Sequence, residues 1–370
     1  MGSSNVKYIS RQKPVDFGSI IKKVFDIYKS QGALPEIIKR MYNRYLEVTT
    51  EDLQNRKLQP EICDWKCLAA KGLQVEYADF GVLQWMLHSN GTTTVLFWPE
   101  AVSDTVKMEV ARSIVSLNCG QIIYEKKIVV NQNGLASLAF HAYGQHSWLD
   151  SYVKQLRGSF TGELKYKMAV LVMFVNTTRS SDLEVCKSDI RRLFSLTNPK
   201  SAVHIPDYHS EAVLISEMVL NPNSVMFLNH HHGNSCRTVS TEIGRRLNLS
   251  EVNKDIYDIP QNIMVDSGAV MAFFGIRQAD DVDLLIQGPV DKSILGQRNG
   301  MSLSRHTDRS MDNLFLDPAN HGYCHGIKFL SLQQLMLYKK RRGARNKDDV
   351  DVAKILSFLK STSQNQMHGS

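Results

Sequence analysis

Val265-Asp266-Ser267-Gly268-Ala269-Val270-Met271-Ala272-Phe273-Phe274-Gly275-Ile276-Arg277-Gln278-Ala279-Asp280-Asp281-Val282-Asp283-Leu284-Leu285-Ile286 is the stretch on which the fold turns. Asp281 and Asp283 alternate with Val282 and Leu284, so strand periodicity puts both carboxylates on one face with the apolar residues behind. Two acids side by side suit a divalent metal. Upstream, an apolar run (263–265) stops at Ser267-Gly268 and a helix-compatible run (269–274) begins. Backbone N–H groups left free at such a junction can meet a phosphate. The implied geometry is a phosphate above a metal site.

This arrangement of a small residue, Gly-Ala-Val, an apolar helix, Gly-x-Arg and then Asp-x-Asp resembles the nucleotidyltransferase superfamily related to DNA polymerase beta. The nearest pattern is that of the tRNA CCA-adding and bacterial poly(A) polymerases, roughly G-G-A-V-R-D-x-L-L-G-x-x-x-x-D-x-D. Ser267-Gly268-Ala269-Val270 falls in register with its start and Asp281-Val282-Asp283 with its end. Ser267 replaces the first glycine, and the Arg-Arg-Asp base-reading run of CCA enzymes has no counterpart near Arg305 to Asp312.

The resemblance implies roles residue by residue. Asp281 and Asp283 would hold two Mg2+ (or Mn2+) ions that bridge a nucleoside triphosphate and activate an acceptor hydroxyl. Ser267 and Gly268 would bind the phosphates, with Arg277 beside them. A third metal-binding carboxylate is expected from a later strand: Asp317, in Leu314-Phe315-Leu316-Asp317, with Asp312 in reserve. Further on, 326–332 reads as a strand leading into a helix capped by Ser331 that ends in Lys339, Lys340, Arg341 and Arg342. Many nucleotidyltransferases place such a helix over the triphosphate, which makes Lys339 and Arg342 phosphate-binding candidates. A solvated basic helix end that complements the macrodipole is the alternative. Lys347-Asp348-Asp349-Val350-Asp351 opens another helix, with Val352, Ile355, Leu356 and Leu359 as its apolar face.

Residues 1–90 carry apolar positions at helical spacing (Ile20, Ile21, Val24, Ile27, then Ile37, Ile38, Met41, Tyr45) and read as a helical N-terminal extension. Residues 91–229 alternate strands (94–98, 121–130, 167–175, 203–204) with helices (106–117, one from 133, 183–194, 210–220), an α/β sandwich. This middle region resembles the ferredoxin-like nucleoside diphosphate kinases. Val95-Leu96-Phe97-Trp98-Pro99-Glu100-Ala101 matches their first strand and Lys-Pro-Asp-Ala turn, and Val203-His204-Ile205-Pro206-Asp207 matches their His-Gly-Ser-Asp segment. Trp98 stands where the phosphate-binding lysine belongs and Ile205-Pro206 replaces Gly-Ser, which implies a domain without kinase activity. His204 is a candidate phosphate contact, against the plainer reading of a hydrogen-bonded histidine at a strand end.

The fold class expected is therefore α/β (α+β): a helical extension (1–90), a ferredoxin-like domain (91–229) and a nucleotidyltransferase-fold catalytic domain (230–370). A chain of 370 residues with 43% hydrophobic and 22% charged residues buries more than one core. A formal net charge of +7 suits an anionic partner, a nucleotide, nucleic acid or glycan. No apolar run reaches the roughly 20 residues of a membrane span, so no membrane association and a cytoplasmic location are expected. Cys63, Cys67, Cys119, Cys186, Cys236 and Cys324 lack zinc-ribbon spacing and are expected as free thiols. Cys63-x-x-x-Cys67 with His230-His231-His232 and Cys236 would make a metal site only if the two segments met. His141, His146 and Trp148 suit either base stacking or a domain seam, and 157–162 reads as a linker or lid. Two other functions stay open. The choline-phosphotransferase and fukutin-like families also combine a glycine turn, an arginine and Asp-Asp-x-Asp, here Arg277 and Asp280 to Asp283, and transfer phosphosugar or phospho-alcohol groups to a glycan. The second is a catalytically silent binding or scaffold protein.

Overall fold

The computed structural model describes residues 79, 81–83, 85–87, 89, 91–143, 168–177, 181–230, 263–279, 282–287, 311–342 and 346–367. The chain divides into two compact units, Met1–Trp85 and Met86–Ser370. The second mixes helices with two four-stranded sheets. Most of the helical extension expected over 1–90 lies outside the described residues, as do His146, Trp148, the 157–162 loop, Cys63, Cys67, His231, His232 and Cys236.

The first sheet is built from β1 (Thr92–Phe97), a one-turn helix (Pro99–Val102), α1 (Thr105–Ile114), β2 (Gln121–Val130), α2 (Gln132–Tyr143), β3 (Met168–Asn176), α3 (Leu183–Phe194), β4 (Val203–His204) and α4 (His209–Val219). Its strand order is β2-β3-β1-β4, with every neighbouring pair antiparallel. β1 is buried along its whole length, Thr-Thr-Thr-Val-Leu-Phe, because both faces of the sheet are covered. Val95, Phe97, Leu171, Met173 and Val175 pack against Met108, Ala111, Cys186, Ile190 and Phe194 from α1 and α3. The opposite face carries Leu96, Val172 and Phe174 and is closed by α2 and α4. The helix starts are local in origin. Asp104 accepts from the Lys107 N–H ahead of α1, and Asp182 accepts from the Val185 N–H ahead of α3.

The expectation of free thiols is corrected at Cys119 and Cys186, which form a disulfide, and at Cys324, which is also disulfide-bonded. The separation of 67 residues between Cys119 and Cys186 leaves no local signal. They meet because the π-helical turn that follows α1 (Val115–Cys119) and α3 lie side by side on one face of the sheet.

The second sheet follows α5 (Pro222–His230). It comprises β5 (Ile263–Asp266), α6 (Ser267–Phe273), β6 (Asp283–Ile286), α7 (Met311–Leu316), a 3-10 turn (Pro318–Asn320), β7 (His321–Cys324), β8 (Ile327–Leu330), α8 (Leu332–Arg342) and α9 (Asn346–Met367). The order is β6-β5-β8-β7, with β5 antiparallel to β6 and parallel to β8, and β7 antiparallel to β8. Side chains alternate between faces. Phe329 projects onto the face closed by α5 and α6, where its ring meets Phe227, Phe273 and Phe274 at centroid distances of 5.5 to 5.9 Å. Gly322, opposite Phe329 on β7, leaves room for that ring: a Cβ there would stand 2.5 Å from the Phe329 Cζ. Among the described residues no helix is long and apolar enough to cross a membrane.

Two asparagines tie the helix that closes the first region to the second sheet. Asn221 Oδ1 accepts from the Asn223 and Ser224 N–H groups, starting α5, while its Nδ2 donates to the buried carbonyl of His321 at 3.0 Å. Asn223 Nδ2 donates to the same carbonyl at 2.9 Å. Asn221→Ala removes a helix cap and one of these buried bonds together. It is expected to lower stability by roughly 2–4 kcal/mol, measured by urea denaturation of the full chain against Asn223→Ala, which loses no cap acceptor and is expected to lose less.

Candidate active site

The stretch that the sequence singles out folds as strand, turn, helix and antiparallel return strand, with β5 leading through Ser267-Gly268 into α6 and back as β6. Ser267 adopts φ 58°, a left-handed conformation uncommon outside glycine. Such strain persists where its surroundings fix it. Ser267 donates its hydroxyl to Asp266 Oδ2 at 3.1 Å. Gly268 lies under the guanidinium of Arg277, and a Cβ on it would stand 3.2 Å from both Nη1 and Nη2. The absence of a side chain at 268 is what lets a cation rest on the turn.

Arg277 is anchored in this position. Its Nε and Nη2 donate to the two carboxylate oxygens of Asp351 at 2.8 and 3.1 Å, and Nη1 donates to the Gln278 carbonyl. Asp351 also receives Lys339 Nζ at 2.7 Å, and Lys339 reaches Asp348 at 3.1 Å. Arg342 Nε lies 3.5 Å from Asp348. Burial alone would raise the Asp351 carboxyl, but the hydrogen bonds from Arg277 and Lys339 outweigh it and hold the group below its ordinary range. The structure thus pairs the three predicted phosphate-binding cations with acids of α9. Asp348 and Asp351 open that helix and were read from sequence only as its first turn.

On the acidic side, Asp283 stands at the first position of β6, in register with Asp266 of β5. Paired residues of antiparallel strands project to the same face with Cβ atoms about 5 Å apart. The two carboxylates are therefore neighbours. Asp266 is 2% exposed, and its Oδ1 accepts no hydrogen bond among the described residues. Burial pushes its carboxyl up to about 7; the Ser267 backbone and hydroxyl oppose the rise, Asp283 adds to it and Lys339 opposes it. Sequence reading gave Asp266 no role, because it closes an apolar run; the signal available was its place immediately before the small-residue turn. Asp281 and Asp280 lie outside the described residues. Among the described residues no group of three or more His, Cys, Asp or Glu is gathered as for a metal ion.

The expected third carboxylate is placed differently. Residues 311–316 form the helix α7 and not a strand, and Asp317 follows it, accepting from the Ala319 N–H to start the 3-10 turn. A run of Leu-Phe-Leu before an acid fits both periodicities, and Pro318 favours the turn that Asp317 caps. The Asp312 side chain lies outside the described residues. The strand that pairs with β5 on its other side, β8, brings Lys328 and no acid. Lys328 is buried, donates to the Phe315 carbonyl at 3.1 Å and stands over the rings of Phe315 and Tyr323. Burial lowers its ammonium to about 8, with Glu217 opposing. His204 belongs to the first sheet, buried in β4 with the Tyr143 ring edge-on at 4.2 Å. Trp98 in turn stacks on Tyr143 at 6.1 Å.

No family model, no curated protein and no solved structure matches the chain.

Two stability measurements test this electrostatic picture. Asp351→Asn is expected to cost roughly 3–5 kcal/mol at neutral pH, as breaking a buried pair does. The wild-type advantage is present above the ordinary 3.8 of the unfolded carboxyl and lost as pH falls through the lower folded value. Asp266 acts in the opposite sense. Between 3.8 and about 7 the folded state binds a proton that the unfolded state has released, so metal-free protein loses stability as pH rises across that window. Denaturation at several pH values should show this slope in the wild type and its absence in Asp266→Asn.

Proposed function

We propose that the 230–370 region is a metal-dependent nucleotidyltransferase that moves a nucleotidyl group from a nucleoside triphosphate to an acceptor hydroxyl, with Mg2+ or Mn2+ as cofactor. The observation that carries the reading is the juxtaposition at the end of β5. There a left-handed Ser267 turn, a guanidinium resting on Gly268 and the Asp266/Asp283 pair converge on one strand end. The strand-turn-helix-strand order supports the nucleotidyltransferase-fold assignment. For 91–229, the order β2-β3-β1-β4 with α1 and α3 on one face supports a ferredoxin-like domain. The formal charge of +7 supports an anionic acceptor, a nucleic acid or glycan.

The residues present fit a divalent cation. Asp283 and its neighbour Asp266 offer adjacent carboxylates, and the buried Asp266 Oδ1 has an acceptor site unused among the described residues. Asp283, with Asp281, would hold the ion. When bound, the metal neutralises triphosphate charge and lowers the pKa of the acceptor hydroxyl. The chain's own part is positional. Arg277 brings a fixed positive charge over the turn where the phosphates would lie, and Asp351 orients that guanidinium in two bonds. Lys339, shared between Asp348 and Asp351, adds a small stabilising charge to Asp266, whose carboxyl is governed first by its burial. In-line placement and charge neutralisation supply the rate acceleration.

The test is turnover of each labelled nucleoside triphosphate with Mg2+, comparing wild type with Asp283→Asn and Asp281→Asn. Nucleotide incorporation or pyrophosphate release is expected from the wild type. Each variant should fall by about two orders of magnitude or more. A wild-type chain that turns over no triphosphate would contradict the reading and leave phosphosugar transfer or a silent scaffold.

A further inference from the structure

The Asp266 carboxylate is an unusual group to bury. A desolvated carboxylate is costly unless it is paired and hydrogen-bonded, and a second carboxylate opposite it raises that cost. Asp266 nevertheless sits 2% exposed in β5, with the Ser267 hydroxyl on Oδ2 and the Ser267 backbone as its supports and with Oδ1 accepting nothing among the described residues. Its cross-strand partner is Asp283. Among the described residues the nearby cations pair with other acids, Arg277 with Asp351 and Lys339 with Asp348 and Asp351, and Lys339 acts on Asp266 only as the smallest of its influences. Strand β8, the other neighbour of β5, carries Lys328, which is directed to the Phe315 carbonyl. The later acid, Asp317, is committed to the Ala319 N–H. A buried oxygen beside a like charge is satisfied by a proton or by a cation that bridges the pair.

We propose that Asp266 is itself a metal ligand, holding a divalent cation jointly with Asp283 across the paired strands β5 and β6. The carboxylate immediately before the turn then takes the place that sequence analysis gave to Asp317. Its role in transfer rests on the nucleotidyltransferase reading, but the binding of the ion does not. The left-handed Ser267 acquires a purpose in this arrangement. Its hydroxyl holds Oδ2 and leaves Oδ1 to the ion.

The test uses Mn2+ alone with the full chain at pH 8, reading free Mn2+ by electron paramagnetic resonance. Wild type is expected to bind, and Asp266→Asn and Asp283→Asn are each expected to weaken binding at least about tenfold. An Asp266→Asn chain with wild-type affinity overturns the proposal, as does a wild-type chain that binds no Mn2+. Should Asp266→Asn fail to fold, as judged by circular dichroism, the wild type alone decides. Fe2+ with ascorbate and peroxide should then cleave the backbone near 266–268 and 283, and excess Mg2+ should suppress the cuts; cleavage elsewhere overturns the assignment. The two readings fail separately. Triphosphate turnover with unchanged Mn2+ affinity in Asp266→Asn rejects the ligand and keeps the transfer, whereas Mn2+ loss in that variant without wild-type turnover keeps the site and rejects the transfer.

Discussion

The bidentate pairing of Arg277 with Asp351 is the interaction on which the site depends. It joins the segment after α6 to the first turns of α9, residues 74 apart in sequence, in a setting where Asp351 is almost wholly removed from water. A buried ion pair is worth keeping only when its geometry is good and its remaining lone pairs are used. Both conditions hold: the two oxygens of Asp351 receive Arg277, and Lys339 adds a second cation to the same carboxylate. The consequence reaches the turn. Because Arg277 is held from behind, its guanidinium lies on Gly268 instead of sampling solvent, and a side chain at 268 would have to push it back by a few tenths of an ångström.

Charge around this pair is layered. Asp348 and Asp351 stand behind Lys339, Arg277 and Arg342, and Asp266 and Asp283 stand ahead of them at the strand ends. An anionic ligand at the turn would meet cations already oriented, at little reorganisation cost. A metal ion would meet one carboxylate already desolvated, that of Asp266. The same layering explains the two opposite protonation tendencies: burial wins at Asp266, where a like charge faces it, and hydrogen bonding wins at Asp351, where two cations do.

Much of the backbone was legible in local pattern. Gln121–Val130 and Leu183–Phe194 fall where periodicity puts them, and Ser331 caps α8 by accepting from the Gln334 N–H as its position suggests. The turn at Ser267-Gly268 and the strand carrying Asp283 were equally readable, because small residues between an apolar run and alternating acids admit few other conformations. What local pattern does not contain is partnership. The acids that hold Arg277 and Lys339 come from a helix whose sequence shows only a good first turn, and Cys119 finds Cys186 through the packing of two helices. Asp266 was hidden by its context, an acid at the end of Ile-Met-Val that reads as the edge of a strand. The few apolar residues of 311–317 satisfy both helical and strand spacing, and the helix forms with Lys328 donating to its Phe315 carbonyl.

The most direct measurement of the central claim is a crystal structure of the full chain grown with Mn2+ and a non-hydrolysable nucleoside triphosphate, with anomalous data collected at the manganese edge. The account predicts an anomalous peak between the carboxylates of Asp266 and Asp283, with the triphosphate seated on Ser267-Gly268 under the Arg277 guanidinium. Manganese or triphosphate bound away from that turn, or neither bound there at saturating concentration, would contradict it.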